Sequence, residues 1–460
     1  MKTLLLNPPI PVNQGRDIPL GIAYIAAILE KHGKDVAVLD AMVLDFDEEA
    51  AFNEIAMISP DIIGITTPTT VDKSVFSLTH RLKKHKPSMF IVLGGISPTV
   101  SPDYCVENSS ADAVVKGEGE FVMLELVKKL EAGDDWRDID GLSYRQNDSV
   151  HHNRRAPFIE DLDSLPFPAR HLFPSERYGR REFSDPMGRL ITGRGCMASC
   201  IYCTAPIMHG KHIRSRSADS IVDEIQYLMK TYGVKNFVFE DDTFTAKPEL
   251  VKSICNEIIS RGIKAGFWCQ TRVPNVTTEM LSLMKKAGFI QISFGIESGD
   301  DSVLRTIKKG INISLVEKAV EAAKKAGMPY SVNFMIGNIG ESRESVKRSV
   351  ELAKKLDPFQ VIFSIAIPFP GTEFRKICED NGWLLEADTN TYHIQTKPVS
   401  RTKDLTADEI KQLYKKAYRD FYFRPKVIFR FIRESVKPRN FHIYLGYLKR
   451  WFNYTFRWDK

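Results

Sequence analysis

The chain has 460 residues, of which 43% are hydrophobic and 27% are charged, and its net charge at pH 7 is +6. These values are typical of a globular protein with a packed core, and the length predicts two to four domains because single cores rarely grow beyond ~250 to 300 residues. No apolar run reaches the ~18 residues that a membrane span needs, and the start "MKTLLLNPPIPV" lacks the features of a signal peptide. We therefore expect a cytoplasmic chain with reduced thiols.

The first 136 residues alternate short β-branched segments with helical patterns. The strand segments are "TLLLNPP", "DVAVLDA", "DIIGITT", "FIVLGG" and "ADAVVKG". Strands joined by helices predict a doubly wound parallel sheet, a Rossmann-like α/β domain. Such sheets bind ligands at the carboxyl ends of their strands, so the candidate binding loops are 7–21, 66–70, 94–98 and 117–120. Residues 137–188 then predict a hairpin followed by a proline-punctuated linker.

The alternation resumes over residues 189–400 with six strand segments, each followed by a helical pattern. The strand segments are "RLITGRG", "NFVFED", "AGFWCQTR", "QISFGIES", "SVNFMIG" and "QVIFSIAIPFP". Six βα units are two fewer than a complete TIM barrel contains. The pattern alone is compatible with both an open sheet and a (βα)6 partial barrel. Residues 401–460 are expected to form a small, basic, aromatic-rich helical extension.

Three of the seven cysteines lie within the segment "GRGCMASCIYC", at Cys196, Cys200 and Cys203. Thiolates in such a group ligate zinc or an iron–sulfur cluster, and the alternative is buried structural cysteine. A structural zinc ion needs a fourth ligand, for which His209 or His212 is available. A four-iron cluster held by three cysteines keeps one iron open to a ligand. Three of the other four cysteines, at 255, 269 and 378, fall within predicted helices or strands and are expected in the core.

The C-x3-C-x2-C spacing, with the aromatic Tyr202 before the last cysteine, closely resembles the signature of radical S-adenosylmethionine (SAM) enzymes. The catalytic domain of that family is typically a six-unit partial barrel. The resemblance implies that the three cysteines hold a catalytic [4Fe-4S] cluster whose open iron chelates SAM. It also implies reductive cleavage of SAM to a 5′-deoxyadenosyl radical, with electrons from a donor such as flavodoxin or ferredoxin.

Further segments at predicted strand ends resemble the SAM contacts of this family. They are "FEDDTFT", "CQTRV", "FGIESG" and "FMIGNIGES", and "PFPGT" resembles the end of the sixth strand. The implied cofactor-binding residues, besides Tyr202, are Glu240, Asp241, Asp242, Arg272, Glu297, Ser298, Gly337, Gly340 and Glu341. The alternatives are helix-capping carboxylates in a solvated loop, a surface ion pair of the arginine, and ordinary turn glycines.

The first domain resembles the cobalamin-binding modules of one branch of these enzymes, through "GITTPTT", "LGGISPT" and "VVKGEGE". The implied cobalamin contacts are Thr66, Thr67, Thr69, Gly94, Gly95, Gly117, Glu118 and Gly119. One departure is that the first loop lacks the histidine of the D-x-H-x-x-G motif, and His32 lies at a predicted helix end. The resemblance therefore implies cobalamin without a protein histidine as lower ligand, or a domain that no longer binds cobalamin.

The leading hypothesis is a cobalamin-dependent radical SAM methyltransferase that acts on an unactivated carbon of a small-molecule or lipid substrate. One alternative is a cyclase or rearrangement enzyme of the anaerobic porphyrin cyclase type. A second is a tRNA methylthiotransferase, although such enzymes carry three further cysteines in the first domain, where only Cys105 is available here. A third is a non-catalytic iron–sulfur or zinc protein.

The carboxyl-terminal segment is unusual in both charge and aromatic content. Residues 401–460 carry 16 Lys and Arg against 6 Asp and Glu, and residues 421–460 hold 13 aromatic side chains. Three interpretations remain open: base stacking, peripheral contact with the inner face of a membrane, and a helical cap that packs its aromatic side chains on the barrel. The first 400 residues are slightly acidic, so we do not expect the body of the protein to bind nucleic acid.

Overall fold

The computed structural model describes residues 1–9, 17–178, 185, 187–274, 276–392 and 397–435. The chain falls into two units. The first comprises Met1–Met197, Thr204–Asp242 and Ser260–Ala265, and the second comprises Ala198–Cys203, Thr243–Ile259 and Gly266–Lys460.

The first unit contains a seven-stranded sheet. Its strands are β1 (Lys2–Asn7), β2 (Asp35–Asp40), β3 (Ile62–Thr66), β4 (Phe90–Gly94), β5 (Ala113–Val115), β6 (Leu142–Gln146) and β7 (Ser149–His152), in the order β2-β1-β3-β4-β5-β6-β7. The helices of this region are α1 (Leu20–Lys31), α2 (Glu48–Ile58), α3 (Asp72–His85), α4 (Ile96–Val100), α5 (Pro102–Asn108) and α6 (Glu120–Ala132). The five strands predicted from the sequence are confirmed and run parallel.

The strand order reverses between β1 and β3, which makes this the switch point of the sheet, where ligands bind in folds of this kind. The loops at 66–70, 94–98 and 117–120 follow β3, β4 and β5 at their carboxyl ends, as predicted. Of the predicted loop 7–21, residues 10–16 lie outside the described part of the chain.

The predicted hairpin is confirmed, and it extends this sheet. Strand β6 pairs antiparallel with β5, and β7 pairs antiparallel with β6. Asn147 and Asp148 form the two-residue turn with φ angles of 48° and 61°. Positive φ at both positions is the geometry that Asn and Asp tolerate in tight hairpin turns.

The remaining strands and α-helices of the first unit precede or follow the cysteine segment in sequence. They are β8 (Arg189–Leu190), β9 (Gly193–Arg194), α7 (Ala205–His209), β10 (Arg214–Ser215), α8 (Ala218–Tyr232) and β11 (Asn236–Phe239). Strand β11 runs parallel to β8, and β9 pairs antiparallel with β10. The strand predicted over "RLITGRG" is confirmed at Arg189 and Leu190 as β8, but it is shorter than predicted. The Asp241 carboxylate accepts the N–H groups of Thr192 and Gly193, and the chain then forms β9.

The second unit contains four parallel strands in the order β15-β14-β13-β12. The strands are β12 (Gly266–Thr271), β13 (Phe289–Glu297), β14 (Tyr330–Ile336) and β15 (Gln360–Ile365). The helices are α9 (Pro248–Ser260), α10 (Thr278–Ala287), α11 (Asp301–Thr306), α12 (Ile313–Lys325), α13 (Arg343–Leu356), α14 (Glu373–Asp380), α15 (Ala407–Tyr422) and α16 (Pro425–Ser435). The short helix α11 is absent from the sequence prediction.

Helix α15 covers the open edge of β15 with two tyrosine hydroxyls. The Tyr418 hydroxyl donates to the Phe363 carbonyl at 3.0 Å and accepts from the Phe363 N–H at 3.2 Å. Tyr422 makes the same pair of hydrogen bonds with Val361, at 2.7 and 3.1 Å. The first part of the carboxyl-terminal extension is therefore helical and packed, whereas most of its aromatic segment, residues 436–460, lies outside the described residues. No helix of the described chain has the length and apolar character needed to cross a membrane.

Candidate functional site

The cysteine segment crosses from the first unit into the second. Cys196 follows β9 in the first unit, whereas Cys200 and Cys203 belong to the second. Cys196 and Cys200 are each 8% exposed, and Cys203 is half-buried. Gly195 has a φ of 103°, and a Cβ there would lie 2.1 Å from the His212 carbonyl oxygen. Only glycine therefore fits at this position of the cysteine segment.

The three acidic residues after β11 are all engaged with protein groups of the first unit. Glu240 forms an ion pair with Arg189. Asp241 is buried and accepts from the Thr192 hydroxyl at 2.7 Å as well as from two backbone N–H groups. Burial raises the pKa of Asp241 to about 6. Asp241 therefore shapes the turn that precedes the first cysteine.

Asp242 is the third of these acids, and it pairs with one of the histidines that a zinc site would require. Its Oδ2 lies 3.1 Å from His209 Nδ1 and 3.3 Å from the Gly195 backbone nitrogen. Across the described ranges, no group of three or more His, Cys, Asp or Glu side chains is placed to hold a single metal ion.

In the second unit, two cationic side chains lie beside Cys200 and Tyr202. Arg272 Nη1 lies 3.5 Å from Cys200 Sγ, and its Nη2 donates to the Lys309 carbonyl. The buried Lys309 ammonium donates to Glu297 Oε1 at 2.8 Å and contacts the Tyr202 hydroxyl at 3.2 Å. Burial, followed by the Glu297 charge, raises the pKa of Tyr202. Lys309 thus connects three residues that the sequence singled out.

The end of β13 is shaped around this ion pair. Glu297 has a φ of 72°, which is uncommon for a residue other than glycine and which clusters at functional sites. A Cβ on Gly295 would lie 2.8 Å from Glu297 Oε1 and 3.0 Å from Lys309 Nζ, so the glycine makes room for the pair. The next residue, Ser298, is fully buried, and its hydroxyl has no hydrogen-bond partner among the described residues.

A second unsatisfied polar atom lies after β14. Glu341 is fully buried, and its Oε2 accepts from the N–H groups of Gly337 and Asn338 at 2.7 and 3.0 Å. Its other oxygen, Oε1, has no partner among the described residues. Burial raises the pKa of Glu341 to about 8, so the side chain carries a proton at neutral pH. Gly337 and Gly340 have φ angles of 96° and 81° and form the turn that brings Glu341 back to β14.

The candidate cobalamin loops differ in which groups remain available. The side chain of Thr67 is buried and turns inward to the Ile65 carbonyl, at 3.4 Å, and Thr69 is also buried. Thr66 is half-buried beside Gly95, where a Cβ would approach its hydroxyl to 2.9 Å, and Gly94 faces open space. Gly117 has a φ of 90°. These loops therefore present backbone and open space more than side-chain hydroxyls.

Two other residues named in the sequence analysis, Glu118 at this edge and His32 at the far end of α1, are held within the protein. Both Glu118 oxygens pair with Arg214, at 2.8 and 2.9 Å, and the arginines hold the pKa of Glu118 below its usual range against the opposing effect of burial. Gly119 precedes α6. His32 ends α1 with its Nδ1 2.9 Å from the Ile28 carbonyl oxygen, so the ring is fixed at the helix terminus.

Several charged residues of these networks are absent from the sequence prediction. They are Arg189, Arg194, Arg214 and Lys309. Arg194 stands two residues before Cys196, and its position beside the cysteine motif is the one signal that the sequence offers. The partners of the others lie far away in sequence, so no local pattern identifies them.

The residues present fit the predicted cofactors in chemical type. Thiols in a largely buried setting with an arginine nearby suit an iron–sulfur cluster, whose sulfurs favour hydrogen-bond donors. The unpaired Ser298 hydroxyl and Glu341 oxygen are groups that a bound polar ligand would satisfy. Gly94 leaves space at the edge of the first sheet for a close backbone approach.

Comparison with known families identifies two matches. The family model described as the radical SAM superfamily matches residues 190–353, and that described as the B12 binding domain matches residues 14–127. The chain is 34% identical to an uncharacterized methyltransferase of Pyrococcus horikoshii, over 94% of this chain and 95% of the relative. It is 29% identical to the cytidylyl-2-hydroxyethylphosphonate methyltransferase of Streptomyces wedmorensis, over 92% and 90% of the two chains. It is 28% identical to the anaerobic magnesium-protoporphyrin IX monomethyl ester cyclase of Rubrivivax gelatinosus, over 88% and 73%.

A solved structure supports the fold. The radical SAM methyltransferase TsrM from Kitasatospora setae superposes with a TM-score of 0.72 at 18% identity, over 93% of this chain and 90% of that chain. The predicted α/β fold class is confirmed by an amino-terminal parallel sheet, by the strands β8, β11 and β12 to β15 of a radical SAM domain, and by carboxyl-terminal helices.

Proposed function

Because the chain belongs to the cobalamin-binding radical SAM enzymes, we propose that it transfers a methyl group to an unactivated carbon of a small-molecule or lipid substrate. The family's cofactors are a [4Fe-4S] cluster, SAM and cobalamin, in agreement with the sequence prediction. The observation that supports methyl transfer is the similarity to methyltransferases along almost the whole chain, which includes both cofactor domains.

When bound, the cluster would supply the electron that cleaves one SAM to methionine and a 5′-deoxyadenosyl radical able to remove hydrogen from the substrate carbon, and cobalamin would relay the methyl group of a second SAM. The single electron would come from a low-potential donor such as flavodoxin or ferredoxin. Cys196, Cys200 and Cys203 would hold the cluster, and Arg272 would donate a hydrogen bond to the Cys200 sulfur. Hydrogen bonds to cluster sulfurs are one of the factors that set reduction potentials.

For SAM, the proposal assigns hydrogen bonds to the two unsatisfied groups of the second unit. Glu341 accepts two N–H groups on Oε2, so its proton resides on Oε1 at neutral pH and that oxygen would act as a donor. The Ser298 hydroxyl would complete the set. Asp241 and Glu240 would support the site indirectly, because their carboxylates are occupied by protein groups.

For cobalamin, the open backbone at Gly94 and the half-buried Thr66 are the proposed contacts. No histidine of the protein is proposed as a lower ligand of the cobalamin. The proposed domains are residues 1–136 for cobalamin, 137–188 as hairpin and linker, 189–400 for the radical chemistry and 401–460 as the extension.

The test uses anaerobically reconstituted protein with dithionite, cobalamin and SAM that carries a labelled methyl group. We expect 5′-deoxyadenosine formation and transfer of label to cobalamin in the absence of substrate. Zinc in place of iron, or no 5′-deoxyadenosine, would refute the radical assignment. Formation of 5′-deoxyadenosine without any labelled cobalamin would favour the cyclase type, which the similarity to the Rubrivivax gelatinosus enzyme keeps as second candidate.

The methylthiotransferase alternative has little support from the first domain. Cys105 is its single cysteine, is fully buried and lies 3.5 Å from the Ser97 hydroxyl. Burial raises the pKa of Cys105 to about 12, so this thiol stays protonated. Cys255, Cys269 and Cys378 are also fully buried, which confirms the prediction that they are core residues.

For the extension, we propose peripheral membrane contact at the inner face. Helix α16 exposes Ile428, Phe429 and Ile432, with exposed fractions of 40, 69 and 56%, beside basic residues. Flotation with anionic phospholipid vesicles should carry the full chain and leave behind a chain that ends at Arg424. Equal behaviour of the two proteins would dismiss this role.

A further inference from the structure

A buried group of four charged side chains joins two segments of the first unit. Glu118 precedes α6, and Glu120 begins it. Arg194 lies in β9 and Arg214 in β10. The exposed fractions of these side chains are 4, 5, 7 and 1%, in that order. We call these residues the charge cluster.

Within the charge cluster, each arginine contacts a glutamate directly. Arg214 holds both Glu118 oxygens, at 2.8 and 2.9 Å. Arg194 contacts Glu120 at 2.5 Å and Glu118 at 3.2 Å. The group is electrically balanced, which its burial requires, since an isolated buried charge is strongly unfavourable.

The arginines depend on these glutamates for their own arrangement. Arg194 and Arg214 face each other as partners in the β9–β10 ribbon. Like charges directly opposite each other on neighbouring strands repel. The two carboxylates therefore hold together the ribbon from which the cysteine segment starts, two residues before Cys196.

At the other end, the charge cluster holds a proposed cobalamin loop. Glu118 stands between Gly117 and Gly119, and its Oε2 also accepts from the Ile159 N–H at 2.8 Å. Both oxygens are engaged with protein donors, so the position of this loop follows the position of the arginines.

A second bridge of the same kind exists in this unit. Arg189 of β8 contacts Asp17 at 2.8 Å, and it also pairs with Glu240 after β11. Asp17 belongs to the loop after β1, another loop at the same edge of the first sheet. Two loops of this edge are thus bound to arginines near the start of the cysteine segment.

We propose that the charge cluster couples the two cofactor sites, so that assembly of the iron–sulfur cluster raises the affinity for cobalamin. The inference rests on the proposed function. Glu118 and Glu120 act as positioning residues, because ordering of the cysteine segment fixes the arginines and the arginines fix the loop at 117–119. By linkage, cobalamin stabilises the iron-loaded form by the same factor.

The test is a titration with hydroxocobalamin, followed by visible absorption, of iron-free protein and of protein with a reconstituted cluster. The test variant is Glu120→Gln. The matched control is Glu224→Gln, which neutralises a fully buried glutamate that pairs with Arg170 and Arg216 in the same unit but outside the charge cluster. We expect iron loading to lower the cobalamin Kd by about 5-fold or more in the parent and in the control. In Glu120→Gln the ratio of the cobalamin Kd without iron to the Kd with iron should fall close to one.

A second readout is amide hydrogen exchange of residues 117–120 without cobalamin. Iron loading should slow this exchange in the parent and the control, and leave it unchanged in Glu120→Gln. Should Glu120→Gln not fold, the double variant Glu120→Met with Arg194→Met removes both charges and leaves the Glu118–Arg214 pair intact.

Two results would overturn the coupling. One is a Glu120→Gln variant in which iron loading lowers the cobalamin Kd as much as in the parent. The other is amide exchange at residues 117–120 of the parent that does not change on iron loading. A parent that binds no cobalamin at all would instead refute the proposed function. Hydrogen exchange would then still decide whether the charge cluster transmits iron loading to residues 117–120.

Discussion

The buried carboxyl of Glu341 leads to a quantitative prediction about stability and pH. Its pKa is about 8 in the folded protein against an ordinary value of 4.5. Between these values the folded chain holds a proton that the unfolded chain has released. The bound proton stabilises the folded chain, and this stabilisation is complete below pH 4.5. Between pH 4.5 and 8 the free energy of unfolding falls by about 1.4 kcal/mol per pH unit, and the stabilisation is lost as the pH rises through 8. From pH 5.5 to 7.5 the loss is about 3 kcal/mol.

The variant Glu341→Gln removes this dependence, because a neutral amide oxygen can accept the same N–H groups of Gly337 and Asn338. We expect the free energy of unfolding of the parent to fall by about 3 kcal/mol relative to Glu341→Gln over this range, measured by urea unfolding of the cofactor-free proteins. Glu344→Gln is the control, since Glu344 is exposed in the first turn of α13, and it should follow the parent. Parallel profiles of the parent and Glu341→Gln would refute the reasoning.

Three further predictions concern the second unit. Ser298→Ala removes an unsatisfied hydroxyl, so the free energy of unfolding should stay constant or rise by about 1 kcal/mol. The SAM Kd, measured by calorimetry, should rise about 2- to 10-fold. An unchanged Kd would show that Ser298 does not belong to the SAM site. Lys309→Met should lower the free energy of unfolding by about 3 to 5 kcal/mol, because it leaves the Glu297 carboxylate buried without its partner. The double variant that adds Glu297→Gln should recover most of this loss, as measured by urea unfolding. Cys200→Ala should lose the iron–sulfur absorption after reconstitution, whereas Cys255→Ala should retain it; an intact cluster in the first variant would contradict the ligand assignment.

The fold was predictable because its signals are local. Apolar runs such as "DIIGITT" and helices that end at glycine, as α10 does at Gly288 with a φ of 106°, mark each element within about ten residues. The break between β8 and β9 within "RLITGRG" has a distant cause, since the Asp241 side chain that accepts the Thr192 N–H lies 49 residues away from Thr192.

The candidate site was less predictable for the same reason. The cysteine spacing is a local signal, but the surroundings of each candidate side chain depend on long-range contacts. Glu118 resembles a ligand contact in sequence, and its carboxylate is instead held by Arg214, 96 residues later. Lys309 has no distinguishing local pattern and becomes notable only through its contacts with Tyr202 and Glu297.

The tyrosine pair of α15 has a practical consequence for truncation experiments. Tyr418 and Tyr422 supply, from side chains, the hydrogen bonds that a further strand would give to β15. A chain cut near residue 400 would expose that strand's polar backbone, and exposed strand edges recruit other chains. Such a fragment would be prone to aggregate even if its catalytic residues were intact, so deletions meant to isolate the role of the aromatic tail should begin beyond Tyr422.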